Sequence, residues 1–328
     1  MRVVVTGGAG YIGSHAVREL LEAGHEVRVV DDLSQGYRAA VSRGARLFVG
    51  DIADPAVLRE ALPGAAAVVH FAGLLSVAES MRQPGAYYRV NVAKGLALLE
   101  GMLEHGVTRL VFSSTCATYG MPVRLPMDES HPQDPINPYG ATKRAFEGAL
   151  VDHARAGLLR AVALRYFNAA GCHPDGSLGE DHDPEEHLIP LAVDAALGRG
   201  PGLTIHGEDY DTPDGTCIRD YVHVQDLARA HVLALEKLDE GEPFRAFNLG
   251  TEAGRSVRQV VDAVGRIAGK PVPARLGPRR PGDPPRLVAS AERARAGLGF
   301  AAQHDLVSIV ETTLRWRRDH PDGYGSRA

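Results

Sequence analysis

The sequence has few cysteines, no surplus of basic residues and no long apolar run. Its three cysteines, Cys116, Cys172 and Cys217, stand apart with no CxxC pair, which argues against a thiolate zinc site and is typical of a reducing compartment. The net charge of −5 leaves no basic excess for a nucleic-acid backbone or an anionic membrane. Unbroken apolar stretches, such as residues 65–69, are far shorter than the roughly 20 residues of a membrane helix.

What remains is the composition of a globular protein. The 328 residues are 44% hydrophobic and 23% charged, which fits one large domain or two modest ones. Arg2 leads directly into a strand-like run and then a glycine loop, a start unlike that of a secretion signal. The sequence therefore predicts a cytoplasmic protein with no nucleic-acid and no membrane partner.

Short β-branched runs alternate with longer amphipathic stretches over the first half of the chain, a pattern typical of parallel strands joined by helices. Strands are predicted at residues 3–6, 26–31, 46–50, 67–71, 109–113 and 161–165. Helices are predicted at residues 12–23, 55–61, 87–105 and 138–154. The fold class that follows is α/β, with a Rossmann-type doubly wound parallel sheet.

The second half of the chain has a different composition. Beyond Asn168 it is rich in glycine, proline and acidic residues, with helices predicted at residues 188–197, 257–268 and 306–320. We expect two domains, residues 1–170 and a smaller C-terminal α/β substrate domain over residues 171–328. Residues 226–249 again indicate a helix and then a strand, which leaves open that the segment 222–250 returns to the first domain.

A glycine-rich loop follows the first predicted strand and opens the first predicted helix. It reads Thr6-Gly7-Gly8-Ala9-Gly10-Tyr11-Ile12-Gly13. Glycines at 7, 10 and 13 allow a tight turn, a close approach of the backbone to a pyrophosphate, and close packing of helix on strand. In this context the spacing predicts dinucleotide binding, and a turn chosen for packing alone is the alternative.

Two carboxylates close the second predicted strand about 20 residues after the loop. Asp31 and Asp32 stand where an acid accepts hydrogen bonds from an adenosine ribose and repels a 2′-phosphate. The pair therefore predicts NAD, in preference to NADP, as the cofactor.

A tyrosine and a lysine lie four residues apart near the start of the fourth predicted helix. Tyr139 and Lys143 thus share a helix face. A phenol has a pKa of about 10, and a nearby cation, whether Lys143 or an oxidised nicotinamide, is expected to lower it. Thr115, at the end of the fifth strand, is placed to bind the same substrate oxygen. We therefore predict Tyr139, Lys143 and Thr115 as the catalytic residues.

These motifs, together with others along almost the whole chain, give a specific resemblance. The sequence resembles the extended short-chain dehydrogenase/reductase family, and within it the 4-epimerases of UDP-sugars. The matching segments include Tyr11-Ile12-Gly13-Ser14-His15, Gly50-Asp51-Ile52, His70-Phe71-Ala72-Gly73, Ser113-Ser114-Thr115, Arg165-Tyr166-Phe167-Asn168, Gly179-Glu180-Asp181 and Arg219-Asp220-Tyr221.

The resemblance implies a role for each matching position. The first domain would bind NAD and the second the UDP-sugar. The implied cofactor residues are Gly7, Gly10, Tyr11, Ile12, Gly13, Asp31, Asp32, Asp51, Ile52, Phe71, Ala72, Gly73, Asn91, Ser113, Tyr139, Lys143 and Tyr166. The implied substrate residues are Thr115, Tyr139, Asn168, Leu188, Thr204, His206, Arg219, Tyr221, Arg280 and Asp283.

The reaction implied by the resemblance is the interconversion of UDP-glucose and UDP-galactose. Tyr139 removes the proton of the 4-hydroxyl, hydride passes from C4 to tightly bound NAD, the 4-keto sugar turns, and hydride returns to the other face. A 4-epimerase of UDP-N-acetylglucosamine or a UDP-uronate is the alternative, and an NAD-sensing binding protein is a further one. A dehydratase would need an Asp-Glu pair where this chain has Cys116-Ala117.

The chain departs from the family pattern at several positions. Leu75 stands where some relatives carry a lysine, His206 where an aromatic carbocycle is usual, and Glu186-His187 where two amides are usual. Leu287 is intermediate between residues that restrict and residues that widen the sugar pocket, so the accepted sugars stay open.

Two further expectations concern metals and assembly. The histidines 70, 182, 187 and 223 form no helix-spaced pair, so no metal site is predicted, and Cys116 is expected to be a buried small hydrophobe. The resemblance implies a homodimer formed by the helices at residues 87–105 and 138–154.

Overall fold

Seven parallel strands form the central sheet in the computed structural model, which describes residues 1–280 and 282–326. Seven shorter strands build three small sheets beside it. In chain order the strands are β1 (Arg2–Thr6), β2 (Glu26–Asp31), β3 (Arg46–Val49), β4 (Ala67–His70), β5 (Arg109–Thr115), β6 (Arg160–Tyr166), β7 (Asn168–Ala170), β8 (Leu203–His206), β9 (Ile218–Arg219), β10 (Tyr221–His223), β11 (Phe244–Leu249), β12 (Arg255–Ser256), β13 (Ala274–Gly277) and β14 (Arg286–Leu287).

Helices connect these strands and cover both faces of the central sheet. They are α1 (Tyr11–Glu22), α2 (Pro55–Ala61), α3 (Val77–Arg82), α4 (Pro84–Tyr87), α5 (Lys94–Glu104), α6 (Pro138–Arg155), α7 (Leu188–Ala196), α8 (Val224–Glu236), α9 (Val257–Ala268), α10 (Glu292–Leu298) and α11 (Leu306–Asp319). No helix in the described part of the chain is long and apolar enough to cross a membrane.

The strand order of the central sheet is β11-β6-β5-β4-β1-β2-β3, with every neighbouring pair parallel. This confirms the expected Rossmann-type fold. The chain leaves β1 toward β2 on one side, whereas β4 continues the sheet on the other side. A crevice therefore opens beyond the carboxyl ends of β1 and β4, the place where ligands bind in such sheets.

Alternate residues of the strands enter two separate cores. Val3 and Val5 of β1 pack on one face of the sheet, and Val4 packs on the other. All three are fully buried, because helices lie on both faces. This explains why the strand reads as a continuous valine run, as buried parallel strands do.

A second, smaller lobe holds its own apolar core. Helices α7, α9 and α11 pack around side chains such as Ile189, Val264 and Val310. Two elements that lie between parts of this lobe in the sequence belong to the first lobe in space. Helix α8 packs on α1, and β11 pairs with β6 at the edge of the central sheet. The chain therefore crosses between the two lobes more than once.

The helix predicted at residues 87–105 is wrong as a single element. The structure has α4, then a π-helical segment Tyr88–Ala93, then α5. The wider turn carries the buried Asn91, whose amide serves the site described next. Single π turns of this kind occur frequently at functional sites.

Candidate active site

One cavity of about 1340 Å³ runs along the carboxyl edge of the central sheet and is lined by both lobes. Its volume exceeds the roughly 300–1,000 Å³ of pockets for one drug-sized ligand, so there is room for a dinucleotide and a second molecule. All the predicted catalytic and substrate residues line it, and so do all the predicted cofactor residues except Asn91.

The glycine loop shapes the floor of this cavity at the crevice between β1 and β4. Gly7 has a φ of 71°, and a Cβ there would lie 2.5 Å from the backbone nitrogen of Ala72. A Cβ on Gly13 would lie 2.1 Å from the carbonyl oxygen of Gly7. A side chain at either position would therefore push these backbone segments apart.

The loop also presents the N-terminus of α1 to the cavity. Gly10 precedes the helix, no side chain in the described ranges caps it, and a Cβ there would lie no closer than 3.4 Å to protein. The free backbone N–H groups of a helix start attract an anion. The loop therefore fits a dinucleotide pyrophosphate.

The two aspartates at the end of β2 differ in their bonding. Asp31 accepts backbone N–H bonds from Ala9 and Leu33, each at 2.9 Å. Its burial raises the pKa of its carboxyl, and the two N–H bonds act in the opposite direction. Asp32 accepts bonds from the N–H and hydroxyl of Ser34 instead. Asp31 thus ties the glycine loop to the next turn, and each of its oxygens can accept one further hydrogen bond.

The predicted adenine region contains a lysine that the sequence reasoning missed. Lys94, the first residue of α5, lines the cavity and places Nζ 2.5 Å from Asp51 Oδ2. Burial of Asp51 opposes ionisation, but the bond from Lys94 and a backbone bond from Ala53 outweigh it and lower the carboxyl pKa. A lysine therefore does reach the cofactor side of the cavity, although Leu75 occupies the expected position.

Asn91 is not among the side chains that line the cavity, and its place in the cofactor channel stays a prediction. Asn91 lies behind the cavity wall, where Oδ1 accepts the N–H of Leu74 at 2.8 Å and Nδ2 donates to the Leu74 carbonyl at 3.0 Å. Nδ2 also donates to Thr142 of α6 at 3.1 Å. The amide therefore fixes the segment after β4 against α6. Its partner Leu74 lies 17 residues earlier in the chain, so the local sequence pattern did not show this contact.

Helix α6 brings the predicted catalytic pair to the cavity. Asn137 caps it by accepting the N–H of Gly140 at 2.8 Å, and Pro138 occupies its first turn. Lys143 is buried and donates to the backbone carbonyl of Ser113 at 3.0 Å. Burial lowers the pKa of Lys143 to about 8, with Glu147 acting in the opposite direction.

Burial dominates the pKa of Tyr139 among the protein's own groups, and the expectation that Lys143 or an oxidised nicotinamide keeps this phenol acidic stays a prediction. Burial raises the pKa of Tyr139 well above its usual range, neighbouring Tyr166 adds to the increase, and a bond with Thr115 opposes it. Lys143 uses one of its three N–H donors on the Ser113 carbonyl, and desolvation disfavours a phenolate. The residues alone therefore hold Tyr139 as a neutral phenol.

A buried polar network supports the ends of β5 and β6. Ser113 and Tyr166 share a 2.5 Å bond between their hydroxyls. Ser114 donates to Glu147 at 2.5 Å, and Arg165 pairs with the same carboxylate. The Glu147–Arg165 pair is almost fully buried, and its loss from one side would leave an unpaired charge next to α6.

The opposite end of the cavity is built from charged side chains of the second lobe. Arg219 of β9 pairs with Asp283 at 2.5 Å, and Tyr221 is buried beside them. Arg280 is exposed, lines the cavity and has no ion-pair partner among the described residues. Two guanidinium groups at one end of a cavity fit a diphosphate.

The remaining predicted substrate residues also lie on the second-lobe wall. His206 Nδ1 is 3.2 Å from the Pro278 carbonyl, so its ring is fixed at the end of β8. Leu287, on the two-residue strand β14, lines the cavity as well. The other members of this wall are Asn168, Leu188 and Thr204.

Cys116 follows Thr115 and also lines the cavity. It is half-buried, and burial of its thiol raises the pKa to about 12. A thiol held neutral in this way is a poor nucleophile. The sulfur therefore contributes shape to the site.

Four ionisable side chains meet in the cavity wall between the two lobes, and we call them the wall cluster. They are Glu180, His182, Glu185 and His187, which offer ligand atoms within 4.8 Å of one another. Burial opposes ionisation of both His182 and Glu180. The charge of His187 and bonds from both histidines nevertheless lower the pKa of Glu180 to about 2, and Glu180 and Glu185 raise the pKa of His182 to about 10. Histidine pairs at helical spacing do not reveal this cluster. The spacing E-x-H-x-x-E-x-H at residues 180–187 does indicate it.

His70 and His223, the two other histidines considered as metal ligands, lie away from the wall cluster. His70 Nδ1 is 2.7 Å from the Thr6 hydroxyl inside the sheet, and His223 stacks on His304. Burial lowers the pKa of both His70 and His223 to about 3, so both rings are neutral. They serve packing of the cores.

Comparison with known proteins gives one family and close relatives. Residues 3–250 match the NAD dependent epimerase/dehydratase family. A curated UDP-glucose 4-epimerase of Lacticaseibacillus casei is 47% identical over 333 residues, covering 100% of both chains.

Solved structures of high similarity are also known. A UDP-glucose 4-epimerase from Brucella ovis in complex with NAD has a TM-score of 0.92 and 49% identity, covering 95% of this chain and 97% of that one. One from Bifidobacterium longum in complex with NAD⁺ and UDP has a TM-score of 0.94 and 38% identity, covering 98% of this chain and 100% of that one.

Proposed function

The chain belongs to the NAD dependent epimerase/dehydratase family, and we propose that it acts as a UDP-glucose 4-epimerase, which interconverts UDP-glucose and UDP-galactose. The observation that carries the proposal is the single cavity in which a dinucleotide loop, a tyrosine–lysine pair and an arginine-lined end meet. Each part alone occurs in other enzymes, but together they fit a nucleotide sugar whose reacting carbon lies near a bound cofactor.

We assign NAD to the half of the cavity built by the first lobe. The glycine loop would hold its pyrophosphate, Asp31 and Asp32 its ribose, and Asp51 and its neighbours the adenine. When bound, NAD supplies a reversible two-electron oxidation of the C4 alcohol, so the cycle has no net redox change. The segment Phe71–Gly73 and the hydroxyls of Ser113 and Tyr166 border the same half.

Tyr139 is proposed to accept the proton of the sugar 4-hydroxyl and to return it at the end of the cycle. Because burial keeps its phenol neutral, Tyr139 needs a cation close by before it can act as a base. Lys143 is a cation beside the same pocket, and Thr115 holds a hydroxyl at the end of β5. We propose that these two groups orient and stabilise the tyrosine and the sugar oxygen.

The arginine end is proposed to hold the diphosphate. Arg219 is fixed by Asp283, and Arg280 is free to close on the phosphate oxygens. Binding at the diphosphate holds the nucleotide and leaves the sugar free to turn. A keto sugar must turn before it is reduced from its other face. The division of the cavity follows the two proposed domains, residues 1–170 for NAD and residues 171–328 for the UDP-sugar, with 222–250 serving both lobes.

We further propose a homodimer in the cytoplasm that acts in galactose metabolism. Ala93 of the π-helical segment and Ala145 and Gly148 of α6 are exposed small residues, which would let two helix pairs pack closely. Three unpaired cysteines fit a reducing compartment. Light scattering of the purified protein should give twice the chain mass, and Ala145→Glu should reduce it to the mass of one chain.

The function is tested by incubation with UDP-galactose without added cofactor. We expect chromatography to show UDP-glucose, and heat-denatured enzyme to release about one NAD per chain. Separate incubations with UDP-N-acetylgalactosamine and UDP-galacturonate define the accepted sugars. Full activity in protein that releases no NAD would contradict the scheme, and NAD release without turnover of any sugar would favour a binding protein.

A further inference from the structure

The wall cluster has the composition of a transition-metal site. Two imidazoles and two carboxylates are a ligand set that Zn²⁺ accepts, whereas Ca²⁺ and Mg²⁺ prefer oxygen alone. The four side chains come from one eight-residue segment directly before α7, and they line the cavity, so an ion can enter from solvent.

Three of the four distances within the wall cluster are close to those of ligands around one centre. Zn–N and Zn–O bonds of about 2.1 Å place tetrahedral ligand atoms about 3.4 Å apart. His182 Nδ1 lies 3.4 Å from Glu180 Oε1 and 3.7 Å from Glu185 Oε1. His187 Nδ1 lies 3.6 Å from Glu185 Oε1 and 2.5 Å from Glu180 Oε1. The 2.5 Å contact is a hydrogen bond, and Glu185 Oε1 accepts the backbone N–H groups of Glu186 and His187, each at 3.0 Å. An ion would have to displace the bond between His187 and Glu180.

Two atoms of the wall cluster are also left without a hydrogen bond. Glu180 is 1% exposed, yet its Oε2 has no hydrogen-bond partner among residues 1–280 and 282–326, and His182 Nδ1 has only the ion-pair contacts given above. A buried carboxylate oxygen without a partner is costly, because its hydration is lost without replacement. An ion bound here would satisfy both atoms.

The surroundings hold the ligands in place as outer partners of a metal do. Arg317 of α11 donates to the second oxygen of Glu185 at 2.8 Å and also contacts Asp194 of α7. Tyr11 meets the ring of His182 edge to face, with ring centres 5.9 Å apart. The wall cluster is therefore tied to both lobes.

We propose that the wall cluster binds one Zn²⁺ ion, which fixes the segment 180–187 in the cavity wall. With four protein ligands the ion has no open position, so its role is structural. Zn²⁺ binding at this wall is independent of the sugar that the enzyme accepts.

Co²⁺ titration of the chelator-treated, full-length protein tests the site, because tetrahedral Co²⁺ gives intense visible bands. We expect one equivalent of Co²⁺ to bind, Zn²⁺ to displace it, and excess Zn²⁺ to raise the Tm. His182→Gln and Glu185→Gln should each weaken binding at least tenfold. His153→Gln is the matched control, because this histidine bonds only its own helix turn and lies outside the cavity.

X-ray absorption of the Zn²⁺-loaded wild-type protein gives a second measurement that needs no variant. Nitrogen and oxygen ligands with the multiple scattering of about two imidazoles would support the proposal. Sulfur ligands, or weak Co²⁺ binding that is equal in His182→Gln and the wild type, would overturn it. UDP-galactose turnover in the same samples reports separately on the epimerase function.

Discussion

The two halves of the cavity are built in different ways. On the cofactor side the backbone determines the shape. Gly7 and Gly13 allow neighbouring backbone segments to approach more closely than a side chain would permit. Both oxygens of Asp31 accept backbone N–H bonds. On the sugar side the polar groups are side chains on short elements, such as Arg219 on the two-residue strand β9 and Arg280 beyond β13.

This difference matches the proposed exchange of ligands. A seven-stranded sheet holds the glycine loop from both sides, so that half is preorganised for a cofactor that stays bound. The groups proposed to bind the diphosphate stand on short strands and loops, which are held by fewer backbone hydrogen bonds, and Asp283 positions Arg219 among them. The comparison predicts that changes on the first side affect retention of NAD, and changes on the second affect the KM of the sugar nucleotide.

Tyr139→Phe tests the boundary between the halves and should have the largest effect. Loss of a proton acceptor is expected to lower kcat roughly 10²–10⁴-fold, with UDP affinity and NAD content unchanged. Steady-state kinetics, calorimetry with UDP and NAD release measure the three quantities. Tyr88→Phe, at a half-exposed ring outside the cavity, is the control. Substantial epimerase activity in Tyr139→Phe would refute the assigned role.

Gly7→Ala tests the backbone-built half. Its Cβ would meet Ala72 at 2.5 Å in a residue with positive φ, so we expect a loss of roughly 2–4 kcal/mol in the free energy of unfolding, together with loss of NAD. Gly24→Ala is a matched control, because Gly24 has a φ of 79° but nothing within 4 Å.

The control should lose only about 1–2 kcal/mol, the cost of the backbone conformation alone, and should retain NAD. Denaturant unfolding and NAD content check both variants. Equal destabilisation of the two variants would show that the close approach of Gly7 to Ala72 contributes nothing to the free energy of unfolding.

Arg219→Gln tests the half built from side chains. Loss of charge-assisted hydrogen bonds of about 1.5–3 kcal/mol should raise the KM for UDP-galactose roughly 10–100-fold, while NAD stays bound. Arg279→Gln is the control, since Arg279 pairs with Asp209 outside the cavity, is 45% exposed and should change KM by less than about twofold. Loss of NAD from Arg219→Gln with an unchanged KM would reverse the assignment.

The pH profile should show the smallest effect. Burial lowers the pKa of Lys143 to about 8, so its ammonium is present below that pH and is lost above it. If the positive charge supports the tyrosine, kcat/KM should fall several-fold as the pH rises through about 8. Lys143→Arg keeps the charge to a much higher pH, so this decline should disappear in it. A decline of the same size in Lys143→Arg would assign it to another group.

Much of the fold and of the cofactor side could be predicted from the sequence. Valine runs and amphipathic periods are local signals, and they placed all six predicted strands of the central sheet within two residues of their observed ends. The glycine spacing likewise reports a backbone requirement at its own position. Asn91 and Lys94 were different, because their partners Leu74 and Asp51 are distant in the chain.

The sequence by itself determined the parallel α/β fold, the dinucleotide loop and the identity of the tyrosine–lysine pair, since each depends on residues close together in the chain. Only the tertiary structure decided the direction in which the pKa of Tyr139 shifts, the pairing of Arg219 with Asp283 and the assembly of the wall cluster. Burial and electrostatic interaction depend on which groups surround a side chain in space, and that is settled when the two lobes pack together.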